Sequence, residues 1–176
     1  DIESKFVIYP AATRMHHAYI GGLLYHTVSM LELCDKYIEV YPTLKRDYLI
    51  CGVIVHDMMK VEEYEAPVNA SYSLEGQLLG HIVMGVIKLD KKAEELKILN
   101  TEEVLILKHM LISHHGQQAF GSPVKPATKE ALLLWYLDTI DSKLRVLEEE
   151  LEKTDEGTFT NNINVLDRAK FYKTKN

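Results

Sequence analysis

Lys45-Arg46-Asp47-Tyr48-Leu49-Ile50-Cys51-Gly52-Val53-Ile54-Val55-His56-Asp57-Met58-Met59-Lys60 is the stretch whose reading decides the fold. Tyr48, Leu49, Val53, Ile54 and Val55 make it apolar almost throughout. That density predicts a helix over 45–60 that is buried on most sides. A histidine and an aspartate at the end of such a helix need a reason to be there, because burying an ionised carboxylate without a partner costs several kcal/mol. Lys60 follows Asp57 by three residues, one turn further along the same face if the helix continues.

Working outward, a helix is expected from about His17 to Tyr41, after a Pro10-Ala11-Ala12-Thr13 lead-in. Leu23, Leu24, Val28, Leu31 and Leu33 form its apolar stripe, and Pro42 ends it. Glu65 to Tyr72 reads as a loop. Ser73 then reads as an N-cap, with Glu75 in the first turn of a helix reaching about Leu96 and holding His81. Thr101, followed by Glu102 and Glu103, opens the next helix, which runs to His114-His115 and stops at Gly116. After a loop with Gly121, Pro123 and Pro126, the last long helix spans about Thr128 to Lys153 and carries Asp138. Thr154 to Asn161 is a polar break, and the tail to Asn176 is expected to form one more short helix. There is no internal repeat and no convincing strand. The expected fold is therefore all-α, a bundle of five or more helices.

Chain length and composition fit a single domain. The 176 residues are enough for one sizeable core, and 47% hydrophobic with 26% charged residues is ordinary for a soluble globular protein. The core is expected over about residues 9–153. A net charge of −6 argues against a broad basic surface for nucleic acid, so any such contact is local or assisted by metal charge. Cys34 and Cys51 lie in apolar helical stretches, outside any CxxC motif, and read as buried free thiols of a reducing, cytoplasmic compartment. No apolar run is long enough to span a bilayer. The chain starts at Asp1 rather than Met, which suggests a fragment of a longer protein.

Taken singly, His26, His81 and Asp138 each read as a hydrogen-bonded core residue. Taken together with His56, Asp57, His114 and His115, they are seven imidazole and carboxylate groups spread over five helical stretches. One shared divalent site answers the burial problem for all of them, and such a site activates water for hydrolysis, with a phosphoester as the leading substrate. His26, His56, Asp57 and Asp138 form one ligand group; His81, His114 and His115 supply a second ion, with Asp57 bridging. One-metal and two-metal sites both fit, and the donor types suit Mn, Fe, Co, Ni or Zn better than Ca or Mg. Asp57 and Lys60 are the residues to which catalysis is assigned, Lys60 as a charge for a phosphate oxygen. His17 and Ser122 are candidate substrate contacts, with His16, Lys125 and Lys129 nearby, and His109 reads as structural.

The spaced His26, His56-Asp57 and Asp138 resemble the H…HD…D signature of the HD superfamily of metal-dependent phosphohydrolases. His81 and His114-His115 resemble its two-ion members. Leu74-Glu75-Gly76-Gln77-Leu78-Leu79-Gly80-His81, Ser113-His114-His115-Gly116 and Phe120-Gly121-Ser122-Pro123 are similar to one branch, the YhaM-type 3′→5′ exoribonucleases. So are Pro10-Ala11-Ala12, Tyr41-Pro42-Thr43-Leu44 and Leu137-Asp138-Thr139-Ile140-Asp141, and the likeness covers roughly residues 9–145. The resemblance implies an HD-domain helical bundle that hydrolyses single-stranded RNA, with single-stranded DNA as an alternative substrate, from the 3′ end to nucleoside 5′-monophosphates. It implies manganese, with Fe, Co, Ni and Mg as alternatives, and an OB-fold domain that precedes the HD domain in the family but is not in this sequence. Met59 stands where that branch has glycine before the lysine. Two rivals share the ligand set: a hydrolase of small nucleotides, and a non-catalytic module in which metal staples the helices and the Leu144–Leu151 stretch mediates homo-oligomerisation.

Overall fold

The computed structural model describes residues 2–12, 19–68 and 70–175. Arg46–Val55 forms α3, a helix of ten residues that begins after Lys45. It buries one face, Leu49, Gly52 and Val53, while Ile54 is 43% exposed and Cys51 is exposed. The expectation of a helix buried on most sides is thus corrected: β-branched and aliphatic side chains fill a run of three consecutive positions, and a helix cannot turn all three inward. The thiols separate in the same way, Cys34 buried and Cys51 exposed.

Around α3 lie α1 (Ile2–Phe6), α2 (Gly22–Val40), α4 (Lys60–Glu63), α5 (Leu74–Glu95), α6 (Glu102–Ser113) and α7 (Lys129–Glu152). Three of the starts have the capping chemistry their sequences predict. Ser73 Oγ accepts the Gly76 N–H at 2.9 Å, Thr101 Oγ1 that of Val104 at 3.4 Å, and Thr128 Oγ1 that of Ala131 at 3.1 Å. Among the described residues the extended pairings are isolated antiparallel bridges, so the all-α expectation holds.

The main core joins α2, α3, α6 and α7 through Met30, Cys34, Leu49, Val53, Met110, Ala131, Leu134 and Leu137. A second cluster, Tyr9, Ala11, Leu23, Val61 and Tyr64, fastens the N-terminal segment and α4 to α2. α5 packs on α4 and α6. The tail is not the expected short helix. It doubles back as an arm, with Phe159 facing Tyr172 and Ile163 facing Ala169 in antiparallel bridges around a single 3₁₀ turn at Asn164–Leu166. Val146 of α7 anchors it through Ile163 and Leu166. Threonine, isoleucine and valine favour extended backbone, and Asp167 and Arg168, both at φ near +60°, make the reversal. Among the described residues, no helix is long and apolar enough to cross a membrane.

Candidate metal centre

At His56 the backbone is still helical, φ −55° and ψ −43°, and its N–H bonds Gly52 O at 2.9 Å. Its ring then takes over. His56 Nδ1 donates to the Val53 carbonyl at 2.7 Å, the acceptor that the Asp57 N–H would use in a continuing α-helix. The chain tightens instead into three-residue bonds, Met58 N–H to Val55 O at 3.3 Å and Lys60 N–H to Asp57 O at 3.0 Å, before α4 begins. The expected uninterrupted helix over 45–60 is therefore broken at the His-Asp pair, and the break turns both side chains inward. Lys60 remains beside Asp57, its Nζ 2.6 Å from Oδ2. Met59 is 3% exposed and packs against α5, its Cγ 3.9 Å from where a Cβ on Gly85 would lie. It fills space under α5 without displacing Lys60 from Asp57.

Five imidazoles converge with the same polarity. The Nδ1 atoms of His56, His114 and His115 donate to the backbone carbonyls of Val53, Leu111 and Phe120. His26 Nδ1 is 2.7 Å from Asp141 Oδ2, and His81 Nδ1 is 3.0 Å from Glu63 Oε1. Carbonyls and carboxylates only accept, so each Nδ1 carries a proton, and a ring in its neutral form offers its Nε2 lone pair to the centre. Such partners on the outer nitrogen fix ring orientation and raise basicity at metal-ligating histidines.

A kink in α5 aims His81. Gly80 adopts φ +70° and ψ 158°, a conformation open to glycine alone, and interrupts the helix one residue before the histidine. The freed His81 N–H is taken by Glu63 Oε1 at 3.0 Å, the oxygen that also holds the ring. α6 stops at Ser113, short of the expected His114-His115, so the histidine pair lies in the turn that follows, where Gly116, at φ +71°, has Trp135 packed where a Cβ would stand.

The inner atoms form two nests that share Asp57. One donor atom each from His26, His56 and Asp57 lie within 4.8 Å of one another, and so do those of Asp57, His81, His114 and His115. Asp57 Oδ2 is 3.3 Å from His56 Nε2 and 3.9 Å from His26 Nε2, whereas Oδ1 is 3.3 Å from His81 Nε2 and 3.8 Å from His114 Nε2. Asp138 Oδ1 lies 3.3 Å from His26 Nε2. Its side chain is 17% exposed against 4% for Asp57, so it is the more accessible of the two carboxylates.

Electrostatics favour the ligating protonation states. Burial opposes charge on Asp57, but Lys60 and His56 outweigh it and hold the carboxyl well below the usual range. Burial, aided by neighbouring His115, pushes His114 well below an ordinary histidine. Burial likewise lowers His115. His26 differs: burial works against its charge, but the Asp138 and Asp141 carboxylates raise it to about 9. That proton must leave before His26 Nε2 can bind a metal.

A divalent cation fits these residues. His56 Nε2, Asp57 Oδ1, His81 Nε2 and His114 Nε2 are buried without a hydrogen-bond partner. Leaving one buried acceptor unsatisfied costs about 1–3 kcal/mol, and these four, divided between the two nests that meet at Asp57, offer lone pairs that a divalent cation in each nest would satisfy.

All seven donors named from the sequence, His26, His56, Asp57, His81, His114, His115 and Asp138, are brought into this cluster. His17, with His16, lies outside the described residues. Ser122 is corrected as a substrate contact: it is 1% exposed, and its hydroxyl accepts the His115 N–H at 3.0 Å, so it braces the loop behind the histidine. Lys129 points away to Thr43 O, and His109 Nε2 accepts the Ala127 N–H at 2.8 Å, which ties down the loop before α7. Two carboxylates were not singled out for a role from the sequence, Glu63 and Asp141, each 6% exposed behind a histidine. Asp141 had a signal, one turn after Asp138 on the same helix.

The helical architecture and the paired His56-Asp57 with its distant partners define a class, and the HD domain pattern matches residues 23–143. The chain belongs to the HD domain family. It is 50% identical over 171 residues to the 3′-5′ exoribonuclease YhaM of Geobacillus sp. (strain WCH70), covering 97% of this chain and 52% of that protein. With the 3′-5′ exoribonuclease YhaM of Bacillus subtilis (strain 168) it shares 48% identity over 171 residues, 97% of this chain and 54% of that protein. The chain thus spans about half the length of the curated relatives it matches. No solved structure matches it significantly.

Proposed function

We propose that this HD domain is a manganese-dependent phosphodiester hydrolase that removes nucleoside 5′-monophosphates from the 3′ end of single-stranded RNA in the cytoplasm. The observation that carries the reading is the Asp57 carboxylate, one oxygen turned to each of two nests of imidazole nitrogens. Similarity to proteins named 3′-5′ exoribonuclease supplies the substrate class. His26, His56, Asp57 and Asp138 would hold one ion, and Asp57, His81, His114 and His115 a second. Bound there, the ions supply Lewis acidity at phosphoryl oxygens and water of lowered pKa.

The chain's own groups do the rest. Asp57, kept ionised by Lys60 and His56, brings negative charge to the middle of the centre. Lys60 Nζ, beside Asp57 Oδ2, is the one ammonium placed among the described residues of the centre to meet a non-bridging phosphate oxygen as charge develops. Glu63 and Asp141 hold the rings of His81 and His26 in place through the reaction. Asp138, the more exposed of the two carboxylate ligands, stays accessible to water and substrate.

The test is hydrolysis of a short single-stranded RNA labelled at its 5′ end, with manganese. A ladder shortening from the 3′ end, with nucleoside 5′-monophosphate products and complete inhibition by chelator, is expected. Folded, metal-loaded protein that leaves the RNA intact with every divalent ion tried overturns the reading. Cleavage of free nucleotides but not RNA would replace the polymer with a small-nucleotide substrate, and single-stranded DNA run in parallel reads the sugar preference.

A further inference from the structure

A groove of about 480 Å³ runs from the metal centre along α5, within the roughly 300–1,000 Å³ range of small-molecule sites. Its inner end is lined by His81, His115 and Glu63, and beyond them the walls are apolar. Leu79, Val83 and Ile87 of α5, Ile112 of α6, and Phe120 and Pro123 of the loop beyond His115 line it. Phe120 is 64% exposed, an aromatic face held at the mouth by the loop whose Phe120 carbonyl bonds the His115 ring. One continuous cleft is therefore charged and polar where phosphate chemistry would occur and apolar immediately beside it.

We propose that this groove is a nucleobase subsite, which receives the base of the nucleotide whose phosphate lies at the metal centre. The inference rests on the hydrolase reading and adds to it where the terminal base goes. The occupant must be joined to a phosphate, because the groove opens off two histidines of the centre. It must also be flat and largely apolar, because an aromatic ring, Phe120, and aliphatic side chains line the groove. A base stacked on Phe120 meets both conditions.

The groove is built for indifference to base identity. Glu63 is the acidic side chain of the lining, and its Oε1 is already committed to the His81 backbone and ring. The aliphatic and aromatic walls offer no donor or acceptor to a Watson–Crick edge, while every base has a stacking face. The subsite thus suits an enzyme that must accept each successive terminal residue.

Equilibrium binding tests this apart from catalysis. Adenosine 5′-monophosphate and ribose 5-phosphate are titrated into the manganese-loaded protein by calorimetry. They share the phosphate and sugar and differ in the base. The adenine nucleotide should bind about 10-fold or more tightly, the scale of one base–aromatic stack, and the cytidine, uridine and guanosine monophosphates should fall within a few-fold of it. Phe120→Ala should bring the ratio of adenosine monophosphate to ribose phosphate towards one, with ribose phosphate itself little changed. Ile87→Trp, which fills the groove from α5, should do the same from a different element. Equal affinity of the wild type for the two ligands overturns the subsite, as does a wild-type ratio retained in both variants. RNA hydrolysis alongside equal affinities rejects the groove and keeps the nuclease; base-dependent binding without hydrolysis rejects the nuclease and keeps the groove.

Discussion

One oxygen of Glu63 accepts from both the backbone and the ring of His81, and so governs where a ligand nitrogen points. Glu63→Gln keeps the shape but loses the charge and offers the ring a weaker acceptor. We expect metal affinity or activity to fall by about 10–100-fold, the usual effect of removing the partner of a ligating histidine. Metal titration of the purified variant checks this, and unchanged affinity would show that the contact is incidental. Asp57→Asn should be more damaging, beyond about 100-fold, because it weakens the donor common to both nests. The difference between these two residues also explains what could be read in advance. A histidine or aspartate inside Leu132–Asp138 or Leu78–Val83 is conspicuous, since apolar neighbours make its burial costly. Glu63 sits in a Glu62-Glu63 pair near a loop and looks like solvated surface. Its role follows only from the direction of the His81 ring. Ser122 was misplaced for the matching reason: a serine in a Gly/Pro loop looks exposed, and its burial under His115 depends on how the loop folds back.

Gly80 shows how an element, rather than a side chain, sets the centre. Its φ of +70° with ψ 158° lets α5 stop and restart, which exposes the His81 N–H to Glu63. Gly80→Ala puts a side chain in a region that costs about 1–3 kcal/mol. At about 2–4 °C per kcal/mol for a chain of this size, the drop in Tm should be visible in a thermal melt. Metal affinity should fall with it, because a straightened α5 rotates His81 away from Asp57. A variant with full affinity and unchanged Tm would mean that the kink is dispensable. Three helix starts were legible because Ser73, Thr101 and Thr128 carry side-chain caps, and the end of α2 because Pro42 follows it, all local chemistry. The break after His56 was not legible, since it arises when an imidazole outcompetes a backbone N–H for Val53 O, and periodicity carries no trace of that exchange. The arm after Thr154 was missed because its extended pairing joins residues 159 and 172, beyond the reach of a local pattern.

Across the molecule, the donors come from α2, the α3–α4 turn, α5, the end of α6 and α7, while the apolar clusters join these elements only in subsets. The main core holds α2, α3, α6 and α7, and α5 is fastened chiefly to α4 and α6. A cation at the shared carboxylate would therefore link every long helix through one point, and metal binding should appear as folding stability. At free metal 100-fold above its dissociation constant, one site adds about 2.7 kcal/mol. For a chain of this size that corresponds to a rise in Tm of about 5–11 °C. Thermal melts across a manganese series should show Tm climbing with the logarithm of concentration and returning to the metal-free value with chelator. Asp57→Asn should flatten the series, whereas Lys60→Ala, which removes no ligand, should keep its slope while losing hydrolysis. An equal rise in Tm for Asp57→Asn would place the stabilising ion elsewhere. A flat series in wild-type protein that measurably binds manganese would mean that the ion docks into helices already fixed by their apolar contacts.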